Sequence, residues 1–345
     1  MKKTKINGHG HLLPEPNQIP AFMRDKKLFW IDDDRKFMCQ GNWRRPVTDP
    51  SFFLTEKLLW MDKNNIDKEV VLNLSQLYGN GWSEQDCDDG LRFQNDFNAS
   101  LQEEYPNRFI SGFVVQPRHM DLALKEIERC VEELKLKLLC LPTHFLNSNE
   151  QWTAIADESV FPIFELADKY GLAVQIHPYD GEEIIKLQDR FWRFHLIWMC
   201  AQTADAFHFY TLLDFPERFP NIRTCFAHAN QYAQMGYGRR LQGYDGRPDL
   251  FKGAVDPRKN MGHPNIFVDT LTHDALSLEL VIKRMGISQV MAGLDDPYPL
   301  GEMETVPGCW PGKVIDEALE MGIITEDDKD KIWNDNVLRW IYPNF

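Results

Sequence analysis

Short apolar runs alternate with longer amphipathic stretches along nearly the whole chain. Eight of the runs have the length of strands, at residues 5–7, 69–74, 109–115, 136–141, 172–177, 223–228, 266–269 and 290–293. They are apolar almost throughout and do not alternate, as expected of parallel strands covered on both faces. Between and after them, helical spacing of apolar positions marks residues 56–64, 89–104, 121–134, 160–170, 206–215, 274–285, 311–321 and 326–341. Strand and helix in strict succession predict repeated β-α units, and eight of them fit a closed (β/α)8 barrel better than an open sheet.

Two stretches fall outside the repeat. Residues 13–53 mix Pro, Asp, Arg and aromatic side chains without a period, and residues 230–264 are rich in Gly, Arg, Asn and Pro. Insertions of that length in a compact domain are usually functional, so they are read as a lid and as a substrate or subunit contact region. No internal repeat, low-complexity tract or linker interrupts the pattern, which makes residues 1–345 one domain of the (β/α)8, TIM-type barrel class with long inserted loops.

A barrel of this kind carries its chemistry at the C-terminal ends of the strands, so ligand-type side chains there have special weight. His9 and His11 follow the first run two residues apart, the spacing that turns both imidazoles to one side of an extended chain. His177 ends the fifth run, His228 the sixth, and Asp295 follows the eighth. Neutral imidazoles with one carboxylate suit Zn²⁺, with Mn²⁺ or another divalent ion as alternatives, and leave room for an activated water. Asp296 would point away from its neighbour in an extended segment, which favours Asp295 as the ligand. A lone histidine is most often a hydrogen-bonded structural residue, and His119, His144, His195, His208, His263 and His273 are read that way. The aromatic stretch of residues 191–198, with Trp192, Phe194 and Trp198, is read as core or interface in preference to pocket lining.

Composition narrows the partners. A net charge of −14 repels a phosphate backbone and argues against nucleic acid. No apolar run approaches the ~20 residues of a membrane helix, and the basic start Met1-Lys2-Lys3 leads into a strand without the apolar stretch of a secretory signal. Seven cysteines, odd in number and without a CxxC pair, read as reduced core residues. The expectation is a soluble cytoplasmic protein acting on a small molecule.

These residues resemble the amidohydrolase superfamily, within it the metal-dependent decarboxylases typified by aminocarboxymuconate semialdehyde decarboxylase. The likeness is carried by His9-Gly10-His11 with Pro14, by Asn42-Trp43-Arg44-Arg45-Pro46-Val47, by Ile176-His177-Pro178, by Cys225-Phe226-Ala227-His228, and by Gly238-Arg239. Its most specific part is Gly293-Leu294-Asp295-Asp296-Pro297-Tyr298-Pro299-Leu300-Gly301-Glu302. The resemblance implies a metal held by His9, His11, His177 and Asp295, His228 as acid/base, and Arg45 on the substrate carboxylate. It also implies Arg239 and Arg247 reaching in from a neighbouring subunit of a homodimer. Three positions depart from the pattern: Gly41 replaces a lysine, Ala227-His228-Ala229-Asn230 replaces Gly-His-Gly-Gly, and Asn7 replaces the aspartate before the first histidine. Losing the lysine points to a different or less anionic substrate. The reading is a non-oxidative decarboxylase of a carboxylated aromatic or muconate-semialdehyde-like acid. A hydrolase or hydratase using the same metal, and a non-catalytic metal- or anion-binding barrel, stay open beside it.

Overall fold

The structure is a computed structural model and describes residues 3–179 and 190–343. Among them eight parallel strands form one sheet in chain order: β1 (Ile6–His11), β2 (Lys68–Leu72), β3 (Phe109–Val114), β4 (Leu138–Pro142), β5 (Ala173–His177), β6 (Arg223–Phe226), β7 (Ile266–Asp269) and β8 (Val290–Met291). The sheet closes where β1 meets the end of β8: the Gly8 amide donates to Ala292 O at 2.8 Å and the Asp295 amide to His9 O at 2.7 Å. Helices α1 (Leu54–Lys63), α2 (Glu84–Glu104), α3 (Met120–Glu132), α4 (Phe161–Tyr170), α5 (Met199–Leu212), α6 (Tyr237–Gly246), α7 (Ala275–Met285) and α8 (Lys313–Glu320) accompany the strands.

Burial on both faces explains the unbroken apolar runs. Along β4, Leu138 and Cys140 join the inner cluster, while Leu139 and Leu141 join the layer between strands and helices. The same alternation sends Val174 and Ile176 of β5 into the outer layer that also holds Phe207 and Phe164. The closing turn at residues 326–341 is continuous but takes a π turn at Lys331–Asp335.

The first strand is longer than the sequence predicts. It runs through His11, because Gly8 and Gly10 do not break it: a Cβ at Gly8 would lie 2.7 Å from Ala292 O, and one at Gly10 2.4 Å from the Glu69 carboxyl. Glycine is what lets β1 approach its neighbours this closely.

The two irregular stretches carry short ordered elements of their own. Residues 13–53 contain a three-stranded antiparallel sheet, Trp30–Ile31, Phe37–Gln40 and Trp43–Pro46, whose Ile31 and Met38 are buried with neighbouring Phe29 in the same cluster as Leu138 and Cys140. Strands of two to four residues are too short to leave a period in the sequence. Residues 230–264 hold the helices Gln231–Met235, α6 and Pro257–Asn260.

Candidate active site

The strand rule brings the expected side chains together. His9 and His11 leave β1 on the same side, His177 ends β5, and Asp295 follows β8. Each offers a ligand atom, and these atoms lie within 4.8 Å of one another. The ring centroids of His9, His11 and His177 are 5.2 to 5.7 Å apart, and the Asp295 carboxylate stands 3.2 Å from His11 Nε2 and 3.6 Å from His9 Nε2.

Each imidazole is fixed from behind. Nδ1 of His11 donates to Leu72 O at 3.1 Å, Nδ1 of His177 to Pro178 O at 2.8 Å, and Nδ1 of His9 to the Asp269 carboxylate at 2.8 Å. A carbonyl can only accept, so His11 and His177 carry their proton on Nδ1 and turn a bare Nε2 lone pair inward. Nε2 of His9 and of His177 are buried and have no hydrogen-bond partner. Orphaned inward lone pairs are costly without an occupant, and three imidazoles plus a carboxylate are the donor set of a divalent cation. The residues therefore fit such an ion.

Electrostatics divide the cluster. Burial alone favours neutral Asp295, yet the imidazoles of His11, His9 and His228 around it hold its carboxyl well below the usual range. Burial pushes His11 down and His177 far down, toward the neutral, ligating form. At His9 burial is outweighed by the Asp269 hydrogen bond and the Asp295 charge, which raise it.

Asp269, at the end of β7, is the functional carboxylate that the sequence reading missed. Besides His9, it accepts the backbone amides of His228 (2.9 Å), Ala229 (2.6 Å) and Leu271 (3.1 Å). Those bonds hold His228 and Ala229 at positive φ, 55° each, and Asn230 follows at 49° with its amide on Ala227 O. Non-glycine residues rarely adopt that region, which costs roughly 1–2 kcal/mol each; Asp269 offsets the cost here without the glycines. The signal was available, because Asp269 obeys the same strand-end rule as His177.

His228 itself follows β6 by two residues, and its Nε2 is 3.8 Å from Asp295 Oδ2. Burial pushes its imidazole down to about 4, so it is neutral at pH 7. The cluster opens into a cavity of about 350 Å³, with His11, His177, His228 and Asp295 at one end. Arg45, brought by the strand Trp43–Pro46, lines the same cavity with its guanidinium 4.8 Å over the Tyr298 ring. It is the one Lys or Arg among the described residues of the wall. His195 and His273, set aside from sequence, also line it, and His273 Nε2 donates to Leu300 O at 2.7 Å. From the aromatic stretch it is His195 and Leu196, not the tryptophans, that reach the cavity.

Arg239 and Arg247 do not join the site of their own chain. Both are exposed on or just past α6, and Arg247 is clasped by Asp249 through bonds of 2.9 and 2.7 Å. Asp296 points away from the imidazoles, as its neighbour's orientation predicts, into a buried group of Lys57, Glu69 and Asn7. Burial and the Asp296 charge push the Glu69 carboxyl up to about 8, while Asp296 and Glu69 overcome burial to hold Lys57 above its usual value. Glu302 also turns away: it accepts the Gly312 and Val314 amides at the start of α8, at 2.8 and 3.1 Å.

A sequence profile describing amidohydrolases matches residues 6–340. The chain belongs to the amidohydrolase family. This amidohydrolase is similar to the 2-amino-3-carboxymuconate-6-semialdehyde decarboxylase of Dictyostelium discoideum, 28% identical over 354 aligned residues covering 99% of this chain and 92% of that protein. Its fold is similar to 5-carboxyvanillate decarboxylase from Sphingomonas paucimobilis, with TM-score 0.75, 20% identity and 99% of both chains covered. It is also similar to a dihydroxybenzoic acid decarboxylase from Polaromonas solved with bound manganese, with TM-score 0.73, 15% identity and coverage of 100% of this chain and 98% of that one. No helix among the described residues of the amidohydrolase is long and apolar enough to cross a membrane.

Proposed function

We propose that this amidohydrolase is a divalent-metal-dependent carboxy-lyase that removes CO₂ from a small carboxylated aromatic or muconate-semialdehyde-like acid. The observation that carries the reading is the meeting of inward imidazoles and Asp295 with Arg45 in one cavity. The decarboxylase names of the similar proteins support it. His9, His11, His177 and Asp295 would hold the ion, with zinc favoured by the three imidazoles and manganese the next candidate. When bound, the ion supplies a Lewis acid that polarises a substrate oxygen.

The chain's own residues do the rest. Arg45 takes the carboxylate in a bidentate pair, and Tyr298 beneath it fixes the guanidinium plane. Leu74, Leu196 and Met199 line the cavity beside them and exclude water from the organic part of the substrate. His228, whose imidazole is a weak base because of burial, is a correspondingly strong acid when it takes up a second proton from solvent reaching the cavity and becomes imidazolium. It delivers that proton to the carbon that loses CO₂: the C–C bond pair stays on that carbon, becomes the new C–H bond, and CO₂ departs.

The assembly and location belong to the same proposal. Met235 and Leu250 are exposed at 77% and 66%, and they flank Arg239 and Arg247 in the chain. A second copy covering this face as a homodimer would bring the arginines toward the partner's cavity. All seven cysteines are free, which supports a reducing, cytoplasmic setting.

The test is CO₂ release by the purified chain from substituted hydroxybenzoates, anthranilate-derived acids and muconate-type acids, before and after chelation and after Zn²⁺ or Mn²⁺ is returned. Release that stops on chelation and returns with metal is expected. Conversion to a hydrated or ring-opened acid without CO₂ would replace the lyase with the hydratase or hydrolase reading. Release indifferent to chelation would remove the metal from the reaction.

A further inference from the structure

We propose that Lys57 is a positioning residue for the histidine–aspartate cluster: it ties down Asp296, so that of two adjacent carboxylates only Asp295 is presented to the imidazoles. This rests on the metal-centre reading above. Lys57 comes from the first turn of α1 and has no exposed surface. Its ammonium bonds Glu69 of β2 at 2.6 Å, the Asp296 carboxylate, and His11 O at 3.2 Å.

Asn7 completes the group from the other side. Its Nδ2 donates to Asp296 at 2.6 Å and to Glu69 at 3.2 Å, while its Oδ1 accepts the amides of His9 at 3.1 Å and Leu294 at 3.0 Å. An aspartate at position 7 would add a third acidic group beside Asp296 and Glu69 around one ammonium, which accounts for the amide found there. The His11 amide in turn donates to Asp296 O at 3.0 Å. Thus the backbone bearing His9, His11 and Asp295 is hydrogen-bonded to the ionic group beneath it.

Buried ion pairs contribute little net stability, because desolvation offsets their attraction. What this one does contribute is sorting. Asp296 is one peptide unit from Asp295 and its carboxylate is fully buried, so without an ammonium partner the nearest compensation for its charge lies with the imidazoles or their cation. Lys57 removes that alternative.

The test uses the full chain, stripped of metal and titrated with Co²⁺, read by its visible absorption, with circular dichroism and melting recorded alongside. Lys57→Met is expected to fold with a lower melting temperature, to bind Co²⁺ roughly 10–100-fold more weakly, and to show a changed absorption envelope at saturation. Lys57→Met combined with Asp296→Asn, which also removes the competing carboxylate, should return most of the affinity and the wild-type envelope. Lys57→Met with wild-type affinity and envelope, or a double variant no better than the single, overturns the proposal. If Lys57→Met does not fold, Asp296→Asn with and without Lys57→Met decides: agreement within about threefold supports the proposal, and a loss of about tenfold or more in the double overturns it. A wild-type chain that takes up no Co²⁺ would sink the metal-centre reading, whereas a binding wild type matched by Lys57→Met sinks this inference alone.

Discussion

The strand-end mouth and the two excursions that flank it solve different problems. At the mouth, His9, His11, His177 and Asp295 are placed by the barrel itself, each at a strand end and each held from behind or beside by a hydrogen bond or charge. The excursions instead bring side chains from outside the repeat: Arg45 on a short antiparallel sheet where it pairs with buried Met38, Arg239 and Arg247 on an exposed helical segment. Chemistry that must sit within tenths of an ångström belongs on the rigid elements, and recognition of a substrate's outlying group tolerates a movable one.

That division predicts the largest effects at the mouth, and of two kinds. Asp295→Ala should abolish turnover, by on the order of 10⁴-fold or more, and lose the metal with it. His228→Ala should lower kcat by on the order of 10²–10⁴-fold while elemental analysis still finds the metal. If His228→Ala loses the ion too, His228 is a ligand, and the separation of binding from proton transfer at the mouth fails.

How much of this was legible depends on which rule places a residue. The barrel and its four converging side chains follow from strand periodicity and the strand-end rule, and the same rule reaches Asp269, whose carboxylate only looked like the last residue of an apolar run. Lys57 and Glu69 follow no such rule. A lysine in an amphipathic helix and a glutamate opening a strand read as solvated charges, and only the tertiary meeting of α1, β2 and the end of β8 buries them against each other. Arg45 was found by resemblance, since strands of four residues carry no period from which its direction could be argued. His195 and His273 were set aside because a cavity wall assembled from α5's entry and the β7 exit has no spacing to betray it.

Arg45 tests the first excursion. Replacing it with Ala removes a charge-assisted pair to the substrate carboxylate worth about 2 kcal/mol, roughly a thirtyfold rise in KM with a smaller change in kcat. Arg45→Lys should recover only part of this, because an ammonium lacks the planar fork that stacks on Tyr298. A fall in kcat as large as that of His228→Ala, at unchanged KM, would move Arg45 from recognition into the chemical step.

The second excursion should show the smallest effects, and its two arginines should differ. Arg247 already spends its fork on Asp249, so Arg247→Ala should change KM by less than about threefold, whereas Arg239→Ala should raise it by about tenfold. If Arg239 serves the partner's cavity, mixing settles it. In a dimer of one His228→Ala chain and one Arg239→Ala chain, the second chain keeps its own His228 and receives Arg239 from the first, so one site of the two is whole. Random reassembly makes half the dimers mixed, and the mixture should regain about a quarter of wild-type activity under subsaturating substrate, above the sum of the separate variants. No gain on mixing would place Arg239 outside the site altogether or return it to its own chain, and the exposed apolar face around it would need another occupant.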